Sequence, residues 1–123
     1  MSVNSAFHIA VLPGDGIGPE VTAPALDILK RIEATTPGLS FRFSETPAGA
    51  DHYRETGKSM PDSTIKLCED ADAIFLGACG LPSVRYPDNT EIMPQVELRF
   101  IFDLYAGVRP ARQWMALPPM ATM

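Results

Sequence analysis

Apolar residues fall along this chain in two rhythms, short β-branched runs and longer stretches at helical spacing. "FHIAVLPG" is a short apolar run closed by Pro-Gly, which predicts a buried strand over about residues 7–12. In the stretch that follows, Val21, Ala25, Ile28, Leu29 and Ile32 share one helical face. Pro19 suits the first helical position, and Glu20 suits the positive end of the helix dipole. Pro24 lies early enough to bend that helix rather than break it, and Pro37-Gly38 stops it. "LSFRFSET" alternates, as a strand exposed on one face does. "PAGADHYRETGKSMP" reads as a loop with one helical turn, and Pro61-Asp62 opens a short helix in "PDSTIKLCEDA". "DAIFLGACG" is a second buried strand, ending in Gly77 and Gly80, and "LPSVRYPDNTEIM" is an irregular loop. "PQVELRFIFDLY" returns to helix, with Leu98, Ile101, Phe102 and Tyr105 on one face, and "AGVRPAR" opens a further strand. "QWMALPPMATM" has no period and reads as an irregular end.

Strands alternating with helices predict an α/β fold, a mostly parallel sheet covered on both sides. The division is a folded portion at 1–112 and an irregular tail at 113–123. Composition agrees, with 46% hydrophobic and 20% charged residues in 123. The net charge of -5 argues against nucleic acid or an anionic membrane as partner, since each needs a basic surface. A small local anion site remains open. Neither a charged leader with an apolar run nor a membrane-length apolar segment is legible, which points to the cytoplasm.

The segment "LPGDGIGPE" carries the candidate chemistry. Its glycines, Gly14, Gly16 and Gly18, are spaced GxGxG rather than the GxGxxG of dinucleotide-binding turns, and no lysine makes a P-loop. Asp15 sits where its charge would face an approaching pyrophosphate. Two readings stand: a tight strand-to-helix turn that needs positive φ, or backbone amides facing a ligand. Arg99 and Arg109, set beside apolar residues across a helix-to-strand reversal, could hold a carboxylate between them. Alternatively, Arg99 pairs with Asp103 one turn on. Glu69, Asp70 and Asp72 read as a solvated helix end ahead of a magnesium site. Cys68 and Cys79 read as buried reduced thiols, and His8 as structural.

Three segments together resemble one family. "IAVLPGDGIGPEV" is similar to the opening of the β-decarboxylating dehydrogenases, which act on 3-isopropylmalate, isocitrate, homoisocitrate or tartrate. "DAIFLGACG" resembles their next buried strand, and "LRFIFDLYAGVRP" their arginine-bearing helix and the strand after it. The likeness runs in order from about residue 7 to 112, and the last eleven residues fall outside it.

The resemblance implies the isocitrate/isopropylmalate dehydrogenase-like fold, incomplete in this chain. It implies Gly16 and Ile17 near a nicotinamide cofactor, and a cleft wall running from Gly77 onward. Thr90, Glu91 and Gln95 would approach the nicotinamide or the substrate, and Arg99 and Arg109 would grip the carboxylate of a malate-type 2-hydroxy acid. The reaction it implies is oxidative decarboxylation, with NAD or NADP taking the hydride and Mg²⁺ or Mn²⁺ polarising the new carbonyl. 3-Isopropylmalate, the substrate of leucine biosynthesis, is the leading candidate, with tartrate or isocitrate as alternatives. Ile92, Met93 and Val96 are apolar beside the arginine helix, but Gln95 is polar. Family members are roughly two to three times this length and form homodimers. Their catalytic tyrosine and lysine, third substrate arginine and metal-binding aspartates have no counterpart here, so no catalytic or metal residue is assigned. The chain alone is expected to be inactive and to hold no cofactor tightly, its tail the product of a frame change, altered splicing or truncation. A second reading is a non-catalytic subunit that binds a full-length relative.

Overall fold

The computed structural model describes residues 5–111. Three strands alternate with helices in the order β1 (Ser5–Gly14), α1 (Gly18–Thr35), β2 (Leu39–Glu45), α2 (Ala50–Thr56), α3 (Asp62–Glu69), β3 (Ala73–Ala78) and α4 (Pro94–Ile101). The expected α/β parallel architecture is present. The sheet order is β2-β1-β3, and both pairings are parallel, running from Ser5 opposite Leu39 to Val11 opposite Glu45, and from Ile9 opposite Ala73 to Gly14 opposite Ala78. All three strands therefore deliver their following loops to the same edge. Because β2 and β3 flank β1 on opposite sides, the loops after β1 and β3 diverge there, the switch point at which open α/β sheets bind ligands.

The alternation of β1 sorts its side chains to two faces. Ala10 and Leu12 point into a cluster with Ala48, Met60, Cys68 and Leu98, against which Leu67, Ala71, Ile74, Leu76 and Phe102 pack. On the intervening positions Ile9 and Val11 are also buried. His8 is structural as expected: its Nε2 and the Ser44 hydroxyl lie 2.9 Å apart, and its backbone N–H donates to Asp72 at 2.7 Å.

Several expectations need correction. The segment "PAGADHYRETGKSMP" holds a whole short helix, α2, which ends on Gly57 in the left-handed conformation. The apolar stripe of α1 is wider than the surface it covers, so Val21, Ile28 and Ile32 stay exposed while Thr22 is buried. The fourth helix stops at Ile101, short of Tyr105. Asp103 takes φ +49, its N–H donates to the Phe100 carbonyl, and the Leu104 N–H donates to the Arg99 carbonyl at 2.9 Å. That is a Schellman closure with aspartate in the place glycine usually takes, so no glycine announced it. Tyr105 consequently leaves the helical face and is 99% exposed. Beyond it, residues 104–111 form no strand, so residues 106–111, the described part of "AGVRPAR", do not join the sheet. The tail at 113–123 lies outside the described residues. Among those described, no helix is long and apolar enough to cross a membrane.

Candidate functional site

The glycine turn closes the carboxyl end of β1. Gly14 and Gly16 take φ +84 and +59, the left-handed region where a side chain is strained. Gly18 needs its missing side chain for room, since a Cβ there would run into the Pro13 and Ala78 carbonyls. The tight strand-to-helix turn of the first reading is formed. Asp15 does not face outward, which corrects its expected place opposite a pyrophosphate. It is 2% exposed, its Oδ2 accepts the Ala50 N–H at 2.6 Å, and its Oδ1 accepts the Gly80 N–H at 2.7 Å. Its own N–H donates to the Ala78 carbonyl, and its carbonyl accepts the Gly18 N–H, both at 2.9 Å. Two amides that could have met an anion, at the start of α2 and just after β3, are thus already filled by a carboxylate.

Cys79 lies half-buried beside this joint. Burial, and then the negative charge of Asp15, push its thiol up to about 11, against a smaller opposing effect of a backbone hydrogen bond from Asp15. Cys68 is buried, and both thiols are free.

Of the residues expected near a cofactor, Gly16 and Ile17 form an exposed lip after β1, Ile17 with 64% of its surface in solvent. Across from Gly16 lies Leu81, on the loop after β3. That loop and the segment before α4 form a groove of about 160 Å³ lined by Gly80, Leu81, Pro82, Glu91 and Ile92. Glu91 reaches the groove while paired at 3.0 Å with Arg85, which also donates to the Pro82 and Asn89 carbonyls and so fastens the loop to itself. Thr90 is exposed and turned to Asp88, whose Oδ1 accepts both its N–H and its hydroxyl. Gln95 is half-buried, with an Oε1 that has no hydrogen-bond partner among the described residues. Gly77 is placed differently from the rest. It lies inside β3, and a Cβ there would meet the Pro13 carbonyl and Thr22 Oγ1. Its role is close packing of β3 against β1 and α1.

The fourth helix is anchored by buried Pro94 and Leu98 and by Glu97, which accepts hydrogen bonds from the Tyr86 hydroxyl at 2.8 Å and from Ser59. Tyr86 packs edge-on against Tyr53 with ring centroids 5.0 Å apart, and burial is the main cause raising its hydroxyl above the ordinary value. Arg99 projects from the last turn into solvent. The alternative Arg99–Asp103 pair does not form among the described residues, because Asp103 has left the helix. Arg109 is exposed on the irregular segment after α4. Gln95 and Arg99 are one helical turn apart, whereas no strand returns Arg109 to the sheet edge.

Asp15, Arg85 and Glu97 organise this region, and the sequence reading missed all three roles. The acid placed inside a glycine turn was the one available signal, since an exposed turn has no need of it. A second cavity, about 370 Å³, opens between β1 and β2 and is lined by Pro13, Gly14, Pro19, Glu45, Thr46 and Pro47. Among the described residues, no three Asp, Glu, His or Cys side chains converge as metal ligands would.

Comparison with known proteins bears directly on this edge of the sheet. Residues 8–121 match the family model described as isocitrate/isopropylmalate dehydrogenase, which carries the likeness past residue 112 into the final stretch. The 3-isopropylmalate dehydrogenase of Aquifex aeolicus is 40% identical over 117 residues, covering 90% of this chain and 31% of that protein. The enzyme of the same name from Thermotoga maritima is 42% identical over 117 residues, covering 90% of this chain and 32% of the relative. The crystal structure of a β-decarboxylating dehydrogenase from Thermococcus kodakarensis, in its apo form, superposes with a TM-score of 0.65 at 31% identity, covering 80% of this chain and 27% of that one. The chain spans about a third of the length of the curated relatives it matches. With the family model covering nearly all of it, this chain belongs to the isocitrate/isopropylmalate dehydrogenase family.

Proposed function

We propose that this chain forms one wall of the active site of an NAD(P)-dependent oxidoreductase that oxidatively decarboxylates a malate-type 2-hydroxy acid, with 3-isopropylmalate the leading substrate. One observation carries the reading. The exposed Gly16–Ile17 lip, the groove reaching Glu91, and the helix bearing Gln95 and Arg99 follow the carboxyl ends of parallel strands, in a chain about 40% identical to enzymes named for that substrate. Arg99 and Arg109 would hold the substrate carboxylate by paired, charge-assisted hydrogen bonds and set the hydroxyl-bearing carbon for reaction. Ile17, an apolar side chain already standing in solvent, would lie against the nicotinamide ring, with Thr90, Glu91 and Gln95 near it. The nicotinamide accepts the hydride when bound. The residues here suit that end of the cofactor and not its phosphates, because Asp15 occupies the amides of Ala50 and Gly80. The described residues do not supply a metal's ligand set, so no step is assigned to Mg²⁺ or Mn²⁺.

Catalysis on this reading needs groups beyond the chain, and the chain by itself forms no NADH from 3-isopropylmalate and Mg²⁺. The decisive experiment replaces the matching segment of the Thermotoga maritima relative with residues 8–111 of this chain. A folded chimera that oxidises 3-isopropylmalate, and loses that activity on Arg99→Ala, supports the reading. A folded chimera that prefers tartrate or isocitrate moves the substrate to that alternative, and a folded chimera inert to all three refutes the proposal.

A second reading has its own observation. Val21, Ile28 and Ile32 on α1, and Phe100, Leu104, Tyr105 and Val108 after α4, leave large apolar side chains in solvent. Such surface suits a non-catalytic chain that docks on a full-length relative. Co-purification as a stable complex with that relative would favour it.

A further inference from the structure

We propose that Asp15 is the positioning residue of the cleft, a single buried carboxylate that ties the loops after β1, β2 and β3 into one wall. Its two oxygens are divided between two chain segments far apart in sequence. Oδ2 takes the first amide of α2, at Ala50, and Oδ1 takes the amide of Gly80, just past the end of β3. The backbone of Asp15 completes the joint through Ala78 and Gly18. No lysine or arginine pairs with this carboxylate among the described residues, so backbone N–H groups alone compensate its burial. Charge-assisted bonds of this length are the strong ones, and removing the carboxylate orphans both amides at once. Gly49 is matched to it: a Cβ at that position would overlap Oδ2, and the backbone there takes φ +113.

The consequence reaches the groove. Gly16 follows Asp15 directly, and Leu81 follows Gly80 directly, so the spacing between the two lips is set by one side chain. The loop after β2 is held in the same grip. Describing this wall as a cofactor cleft rests on the proposed dehydrogenase function. The coupling itself is a property of the free chain, so its test contains no ligand and stands or falls separately from that reading.

The test is residue-resolved amide hydrogen exchange on the full chain, comparing wild type, Asp15→Asn and Asp15→Ala. In the wild type, Ala50 and Gly80 open together, with protection matching within about threefold. Asparagine keeps one acceptor oxygen, so one of the two amides stays protected while the other speeds up by about tenfold or more. Alanine releases both, and the Gly18 amide follows, while the β1–β2 ladder keeps its protection. Wild-type protection of Ala50 and Gly80 differing by more than about tenfold would overturn the proposal. So would a uniform rise across loops and ladder in the Asn variant, the mark of a merely stabilising residue. Should Asp15→Ala fail to fold, the wild-type and Asn measurements remain decisive.

Discussion

Replacing Gly77 with alanine adds one methyl group at a point where β3 touches both β1 and α1. The backbone there lies outside the left-handed region, so space and not φ decides the outcome. The new Cβ would sit closer than 3.0 Å to the Pro13 carbonyl oxygen and to Thr22 Oγ1, a separation real Cβ contacts essentially never show. Pro13 O is backbone of β1 and cannot swing aside. Overpacking of this kind costs ~1–3 kcal/mol. Alanine also loses less backbone entropy than glycine on folding, which offsets ~0.5–1 kcal/mol. The expected net loss is about 1–2 kcal/mol, seen in urea denaturation followed by far-ultraviolet circular dichroism as a midpoint lower by about 1 M with unchanged slope. Thr22→Ala removes the movable obstacle, a buried hydroxyl that has no partner among the described residues and so contributes little. The double variant should therefore be less damaged than the two single losses summed, by ~0.5 kcal/mol or more. A Gly77→Ala protein within ~0.3 kcal/mol of wild type would refute the packing argument and return Gly77 to the cofactor wall as a residue with room beside it.

Leu98→Ala should cost about 2–4 kcal/mol, since Leu98 is 4% exposed in the main cluster, and it should expose the end of α4 to limited proteolysis near Phe100. Thr64→Val keeps the shape but removes a hydroxyl that donates to the Pro47 carbonyl at 2.9 Å and accepts from Thr46 at 2.6 Å, an expected loss of ~1–3 kcal/mol by chemical denaturation. Burial and the charge of Asp15 push the Cys79 thiol up to about 11 from 9.0, so at pH 8 its thiolate is roughly a hundredfold scarcer than in an unfolded control, and its alkylation should run about tenfold slower or more. The folded state holds this proton more tightly, so its contribution is whole below pH 9.0 and is lost as pH rises toward 11, visible as a falling melting temperature over that window.

Much of the edge that matters was legible in residues 7–80. The run "FHIAVLPG", the helix after Pro19 and the strand "DAIFLGACG" declare themselves because strand alternation, proline position and glycine punctuation are local properties. The parallel arrangement followed from their order, since helices between strands bring the next strand back in the same direction. The region around α4 was less legible. Its apolar period continues through Tyr105, yet the helix closes at Ile101 because Asp103 accepts a left-handed conformation that composition does not advertise. Gly77 and Gly16 look alike in sequence, but one fills a contact between elements and the other stands at a lip.

Sequence by itself determined the three sheet strands, the long first helix, their order and the family, because propensity, period and motif act over a few neighbouring positions. Tertiary structure alone decided what Asp15 does. Its partners, Ala50 and Gly80, lie 35 and 65 residues away along the chain, and only the register of β1 against β2 and β3 brings their amides to one carboxylate. A charge that reads as repelling a ligand in the linear chain becomes, once buried and shared, the joint on which the loops are hung.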